Sequence, residues 1–452
     1  MRTGRIRNGS QEKIVRTRWF LVAIVVLLTS WMYAESTSDA SPDPAPASSA
    51  ASPAAAAPAT PTNSATAADT VSFSGNGLVF SSKDRSTFLR VHGFIQGDGR
   101  FFSSDPKDHS PDILTFRRIR PTFDGTLFNF LDYTFIPDFG LNRPQVQEIW
   151  VEVKTPAPAK LRVGKFKTPL GLEALRSDLD SSFAERSLAS DLVPLREVGA
   201  QIGGSVLRKS ITYAAGYFNG TTDGSNGNFE WRDSNTVAAR VFALPFTATK
   251  ISVLKGLGIG MAGSYADEHG TLPSFKTVGQ NTFFKYSSTA VADGAHHRVA
   301  PQAYYYYGPL GILGEYTISA QDVRNHQHAG TISNTAWDVA GSFLITGEKN
   351  SYSGIRPKRS FEPNKGFRNM GAFELVVRYS QLRVDPAAFP LFANSSTQPK
   401  QADEYGIGVN WYLNRYVKLM SAYEHTSFIM ASGKATPLHG ENVLMSRIQL
   451  AF

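Results

Sequence analysis

The chain has 452 residues, 42% hydrophobic and 19% charged, with a formal net charge of +8 and no cysteine. The absence of cysteine excludes a disulfide framework, a thiol nucleophile and a cysteine metal site. Arg2, Arg5, Arg7, Lys13, Arg16 and Arg18 against Glu12 put +5 into the first 18 residues and leave +3 for the rest, so the charge balance is no argument for nucleic-acid binding.

Residues 1–34 read as a secretory signal peptide, a basic start followed by an apolar run at 19–28 that is shorter than the ~20 residues of a membrane-spanning helix. Residues 35–69 are almost wholly Ala, Pro, Ser and Thr. Such a segment cannot bury enough apolar surface to order itself, and a disordered linker is expected. Residues 70–452 read as an all-β domain, a transmembrane antiparallel β-barrel of about sixteen strands. The expected strands are 88–101, 114–127, 130–137, 146–155, 161–166, 197–207, 211–219, 237–246, 257–266, 299–307, 310–319, 335–345, 372–382, 404–412, 416–424 and 442–452. Their length of roughly ten residues, broken by Gly, Pro, Asn and Asp, is that of tilted membrane strands, and bacterial barrels use an even number of them.

The second segment carries the argument. As a strand, residues 116–125 send Arg118, Arg120, Thr122 and Asp124 to one face and Ile119, Pro121 and Phe123 to the other. A soluble protein does not bury two unpaired arginines, because the desolvation cost is too high. A barrel with lipid outside and water inside accommodates both faces. The same alternation recurs where Phe373, Leu375 and Val377 oppose Glu374 and Arg378, and where Ile448, Leu450 and Phe452 oppose Arg447. Asn129, Gly308-Pro309 and Asn414-Arg415 suit short periplasmic turns, while 103–113 and 267–297 suit long extracellular loops. The run Tyr304 to Tyr307 suits an interfacial aromatic girdle.

Other chemistry has little support. His109, His269, His296, His297, His326, His328 and His439 fall in expected loops without carboxylate partners at ligand spacing, which favours solvated side chains over a metal site. No nucleophile, base and orienting group cluster together, so no catalytic residue, metal or cofactor is expected. The glycines of 256–260 begin a strand and lack the strand–loop–helix setting of a phosphate cradle.

Arg117-Arg118, the run Gly164-Lys165-Phe166-Lys167-Thr168-Pro169, the block Gly371-Ala372-Phe373-Glu374 and the terminal Phe452 together resemble the phosphate-selective porin O/P family, over roughly 88–452. The resemblance implies an outer-membrane barrel of sixteen strands, usually a homotrimer, passing phosphate, polyphosphate or other small anions by diffusion. It also implies that the third loop, here 168–194, folds into the lumen as a constriction, and Arg117 and Arg118 match the paired arginines of the family's second strand. The middle of that loop, 170–192, alternates apolar and charged residues at near-helical spacing, which suggests a short helix in the lumen; a surface helix on an extracellular loop is the alternative.

An anion pore needs fixed positive charge along a narrow aqueous path, and the planar fork of arginine suits phosphate. The expected anion-binding residues are Arg118, Arg117, Arg120, Arg100, Arg240, Arg378, Lys165 and Lys167. Alternation turns Arg118 and Arg120 inward and Arg117 outward, unless a bulge at Pro121 shifts the register. Acids in the third loop and on the inward faces, Asp178, Glu185, Asp98, Asp124, Glu152 and Glu404 among them, roughly balance these bases and can pair with them across strands. Two alternatives follow: a general non-selective diffusion porin, and a structural or adhesive barrel acting through its extracellular loops. The expected partners are inorganic phosphate or other small anions and the lipid of the outer membrane, with no nucleic acid.

Overall fold

Lipid satisfies no backbone hydrogen bond, so a chain with this alternation has to close its sheet on itself. The computed structural model describes residues 69–74, 77–103, 111–155, 158–227, 234–432 and 440–452, within the compact unit Thr66–Phe452. The expected signal peptide, all of the expected linker but Asp69, and His109 and His439 lie outside the described residues.

All sixteen expected segments are strands of one closed antiparallel barrel. An antiparallel pair, β1 (Thr70–Ser74) and β2 (Gly77–Ser81), precedes it. The first half of the barrel is β3 (Phe88–Phe102), β4 (Ile113–Leu127), β5 (Leu131–Asp138), β6 (Gln145–Lys154), β7 (Ala159–Lys167), β8 (Arg196–Val206), β9 (Ile211–Phe218) and β10 (Asn235–Ala243). Next come β11 (Leu257–Thr271) and a small hairpin outside the barrel wall, β12 (Ser274–Lys276) with β13 (Thr282–Lys285). The wall is completed by β14 (Val291–Tyr307), β15 (Leu310–Arg324), β16 (Ala329–Leu344), β17 (Ala372–Arg383), β18 (Pro399–Tyr412), β19 (Val417–Met430) and β20 (Glu441–Ala451).

The seam pairs β20 with β3 from Val443↔Phe102 to Ala451↔Phe94, and Phe452 exchanges two 3.0 Å backbone hydrogen bonds with Gly93. Where β20 ends, β2 takes over the free edge of β3, from Leu78↔Val91 to Ser81↔Phe88. That pairing, absent from the sequence expectation, removes an open strand edge. Ile149, Val151, Leu375, Val377, Ile407 and Ile448 point out as the lipid face, while Arg118, Arg378, Glu404, Glu424 and Arg447 are buried inside.

The structure corrects several expectations. Strands facing the long loops run past the expected ends: β11 reaches Thr271 and β14 begins at Val291, so most of 267–297 is sheet. Once clear of hydrocarbon a strand no longer needs apolar outward residues, and its alternation fades. His269, His296 and His297 are therefore on strands, not in loops, and His296 is buried against Glu268 and Ser319. The hairpin β12–β13 does not project outward. Phe275, Phe283 and Phe284 pack with Leu188, Leu192, Ile332, Leu382 and Phe392 in one apolar cluster across that mouth.

At the opposite, short-turn end, which is the periplasmic one for a bacterial barrel, two connections are longer, 244–256 and 345–371. Residues 345–371 link β16 to β17, and Tyr352 from this segment stacks on Tyr304 at 5.3 Å. Tyr304 thus serves the interior; of the expected girdle, Tyr307 is exposed. The glycines of 256–260 prove to be packing positions: a Cβ on Gly256 would lie 1.7 Å from the Tyr306 carbonyl oxygen.

Gly125 has the same function at the β3–β4 pair, where a Cβ would fall 2.0 Å from the Phe88 carbonyl oxygen. Gly125→Ala is expected to destabilise the barrel by roughly 1–3 kcal/mol, read as a lower denaturation midpoint of the heat-modifiable gel band. An unchanged midpoint would contradict this close approach.

Candidate pore constriction

The third loop follows β7 and turns into the lumen. Thr168 begins it by donating a 2.8 Å hydrogen bond to Glu197, and Gly171 takes φ +34, which opens a single helical turn, Leu172–Leu175. Glu315 on the wall accepts from the amides of Leu172 and Glu173 at 2.5 and 2.9 Å. At the other end of the turn, Lys167 donates to the carbonyls of Leu175 and Arg176. An acid at the start and a base at the end complement the partial charges of the exposed amides and carbonyls.

The expected helix over 170–192 does not form beyond this turn and a 3-10 segment, Leu188–Leu192. The loop lies within the barrel and not on its surface, and its backbone groups are claimed by the wall. Gln96 donates to the Asp178 carbonyl, Gln449 to Leu179, Lys418 to Ser181, Asn410 to Ser182 and Arg378 to Glu185. Carbonyls turned toward the wall in this way are not aligned along a common helix axis.

Two loop carboxylates organise the rest. Glu185 receives Arg117 at 2.6 Å, Arg447 at 3.2 Å, Arg100 at 3.3 Å and Arg118 at 3.5 Å. Asp178 is paired with Arg120, with Arg186 at 2.5 Å and with Arg118 at 3.6 Å. Burial pushes the Glu185 carboxyl up, but the guanidiniums of Arg117, Arg118 and Arg447 outweigh it and hold the group well below the ordinary carboxylate range. Both acids therefore remain charged at neutral pH.

The expected site residues fall into two groups. Arg117, Arg118, Arg120 and Arg100 do converge, but on the loop's carboxylates. Arg378 joins them through Glu404 and Glu424, both 3.1 Å away, and through the Glu185 carbonyl. Arg117 corrects the alternation. The β3–β4 register shifts between Gln96 and Gly97, whose partners are Arg118 and Phe116, so Arg117 is the extra residue of a bulge and reaches inward. Pro121, where a bulge would also have shifted the register, pairs in register with Gly93.

The other residues make different contacts. Arg240 lies apart from this cluster, donating to Gln302 at 2.8 Å and resting 4.6 Å from the Phe242 ring. Lys165 donates to the Val146 carbonyl, and Lys167 to the loop carbonyls described above. The cross-strand ladders expected among inward charges are present as Arg90–Asp124, Arg162–Glu152 and Arg447–Asp98.

Sequence reasoning left Asp178, Glu185, Arg176 and Tyr352 out of the site. The acids of the loop were visible as candidates for pairing, and the surplus of inward bases on β3, β4 and β20 was the available signal. Tyr352 had none: its hydroxyl donates to the Leu172 carbonyl and its own carbonyl accepts from Arg176, joining the 345–371 connection to the loop.

Glu185→Gln should release the charge of the surrounding arginines into the lumen. A unit charge at about 4 Å in water is worth about 1 kcal/mol, so the anion-to-cation permeability ratio is expected to rise about 2–5-fold in a bilayer reversal-potential measurement. A fall in that ratio would show that the loop has left the lumen or that these arginines do not face the conducting path.

Comparison with known proteins agrees with the geometry. The family described as phosphate-selective porin O and P matches residues 89–452. Porin O of Pseudomonas aeruginosa is 24% identical over 398 residues, covering 80% of this chain and 88% of that protein. Among solved structures, the outer membrane channel DcaP of Acinetobacter baumannii has a TM-score of 0.54 at 11% identity, covering 82% of this chain and 99% of its own. OmpT of Vibrio cholerae has a TM-score of 0.51 at 14% identity, covering 81% and 98%. The closed sixteen-stranded wall, the inward charges and the match along nearly the whole barrel lead to one conclusion: the chain belongs to the phosphate-selective porin O and P family and is a porin of the bacterial outer membrane.

Proposed function

We propose that this porin is an anion-preferring pore for passive diffusion of inorganic phosphate and related small anions. The supporting observation is the contrast between two sets of lumen cations. Arg117, Arg118 and Arg120 face carboxylates and carry little net field. Lys167, Arg176, Arg240 and Lys418 instead donate to neutral oxygens: the carbonyls of Leu175 and Arg176, of Tyr352, and of Ser181, and the side-chain amide of Gln302. A cation hydrogen-bonded to a neutral acceptor, with carboxylates nearby but not in direct ion pair, keeps more of its field than a paired one, and several such weak sites let an anion enter and leave.

The compensation of the constriction arginines favours a second reading, a general diffusion pore without ionic preference. Two further parts of the proposal concern assembly and export. We take the barrel to be a homotrimer, as the trimer form of Vibrio cholerae OmpT is, and residues 1–34 to be a signal peptide followed by a linker to residue 69.

Planar-bilayer recording in a KCl gradient tests the functional reading. The expected result is a reversal potential on the anion side and a chloride current reduced by added phosphate. Equal permeabilities would establish the general pore, and a silent barrel would leave only a structural function.

A further inference from the structure

Two neighbouring connections at the short-turn end carry cations on the outside of the barrel, away from the lumen. The β8–β9 turn, 207–210, reads Leu-Arg-Lys-Ser, and the β10–β11 connection, 244–256, contains Lys250 and Lys255. The two segments contain no Asp or Glu. Arg208, Lys209, Lys250 and Lys255 are exposed, and none forms an ion pair among the described residues. The connections form one surface. Leu244 donates its backbone N–H to the Ser210 carbonyl at 2.7 Å, and the hydroxyls of Ser210 and Thr247 meet at 2.5 Å. Leu207, Arg208 and Lys209 take φ of 50, 55 and 68, a left-handed run that glycine or asparagine would adopt at lower cost. The chain places three long side chains there instead.

Apolar side chains stand among these cations. Leu207 is 69% exposed, Ile251 58% and Val253 43%. They continue the lipid-facing surface of the wall, which rises from them through Val241 on β10 and Ile259 on β11. Two tyrosines fix the level of this surface. Tyr305 shares the outward parity of Tyr307 and donates its hydroxyl to the Val253 carbonyl at 3.0 Å; Tyr213 shares that of Tyr217 and donates to the Pro158 carbonyl at 3.3 Å. Tyrosines with rings on the apolar wall and hydroxyls toward the turns mark the boundary between acyl chains and headgroups.

We propose that this patch docks an anionic phospholipid of the periplasmic leaflet. Arg208, Lys209, Lys250 and Lys255 meet its phosphate, and Leu207, Ile251 and Val253 dip among its acyl chains. Basic residues beside a bilayer attract anionic headgroups, and aliphatic side chains at the same level gain by leaving water. The site lies on the lipid side of the wall, so it does not depend on which ion the pore prefers.

The chain has no cysteine, so Ile251→Cys carries a single environment-sensitive fluorophore in the full-length protein reconstituted into vesicles. Its quenching by brominated phosphatidylglycerol is compared with that by brominated phosphatidylcholine. The expected result is a preference for phosphatidylglycerol of about 5-fold or more at low salt, the size of one to a few basic residues at a lipid surface, weakening at high salt. Adding Arg208→Gln with Lys209→Gln, or Lys250→Gln with Lys255→Gln, should each lower that preference, in variants whose folding the heat-modifiable gel band verifies. A fluorophore at Ile407→Cys, on the lipid face of β18, should show no preference. Equal quenching by the two lipids at Ile251→Cys, or the same preference at Ile407→Cys, would overturn the site. So would a fluorophore at Ile251→Cys that neither lipid quenches: shielded emission would place a second copy of the chain there, and aqueous emission would leave the patch in open periplasm.

Discussion

The interior of this barrel is organised by one requirement: a carboxylate carried into the lumen must meet enough guanidinium to offset its lost hydration. Glu185 and Asp178 ride on the third loop, and Arg100, Arg117, Arg118, Arg120 and Arg447 wait on β3, β4 and β20. Removing one partner of such a buried pair typically costs about 3–5 kcal/mol, because the other is left charged and dry. Neither the loop nor that part of the wall is stable in this form without the other. The width of the aqueous path is therefore set by ion pairing as much as by barrel circumference.

Above and below the loop, two other segments complete the enclosure by different physics. On the long-loop side the hairpin β12–β13 contributes phenylalanines to an apolar roof over Leu188 and Leu192. On the short-turn side the 345–371 connection contributes a polar contact, with Tyr352 bridging Leu172 and Arg176. The loop is thus gripped on three sides: by charge at the wall, by hydrophobic burial above and by hydrogen bonds below. Between these grips Lys167, Arg176, Arg240 and Lys418 are hydrogen-bonded to neutral oxygens.

The barrel was legible in the sequence where lipid imposes a rule and illegible where it does not. Residues 372–382 could be read because each outward residue had to be apolar across the hydrocarbon. Residues 267–271 and 291–298 could not, since Asp267, Glu268 and His297 stand where no such rule applies, yet they pair in full register. Arg118 turns inward as expected, because its parity and its motif agree. Arg117 was misplaced by alternation because the bulge that turns it inward is dictated by its neighbour: Gln96 and Gly97 on β3 face Arg118 and Phe116.

By itself, then, the sequence determined a two-faced, sixteen-stranded barrel and most of its lumen-facing charges, because period-two patterning and turn composition act locally along the chain; the inserted loop was legible only through the family resemblance. Only the tertiary structure decided what those charges do. Whether Arg120 meets a passing anion or Asp178, and whether residues 345–371 hang in the periplasm or enter the lumen, depends on groups 58 to 180 positions apart in the chain. Pairing over such separations is settled by desolvation and geometry in the closed barrel, and no local pattern encodes it.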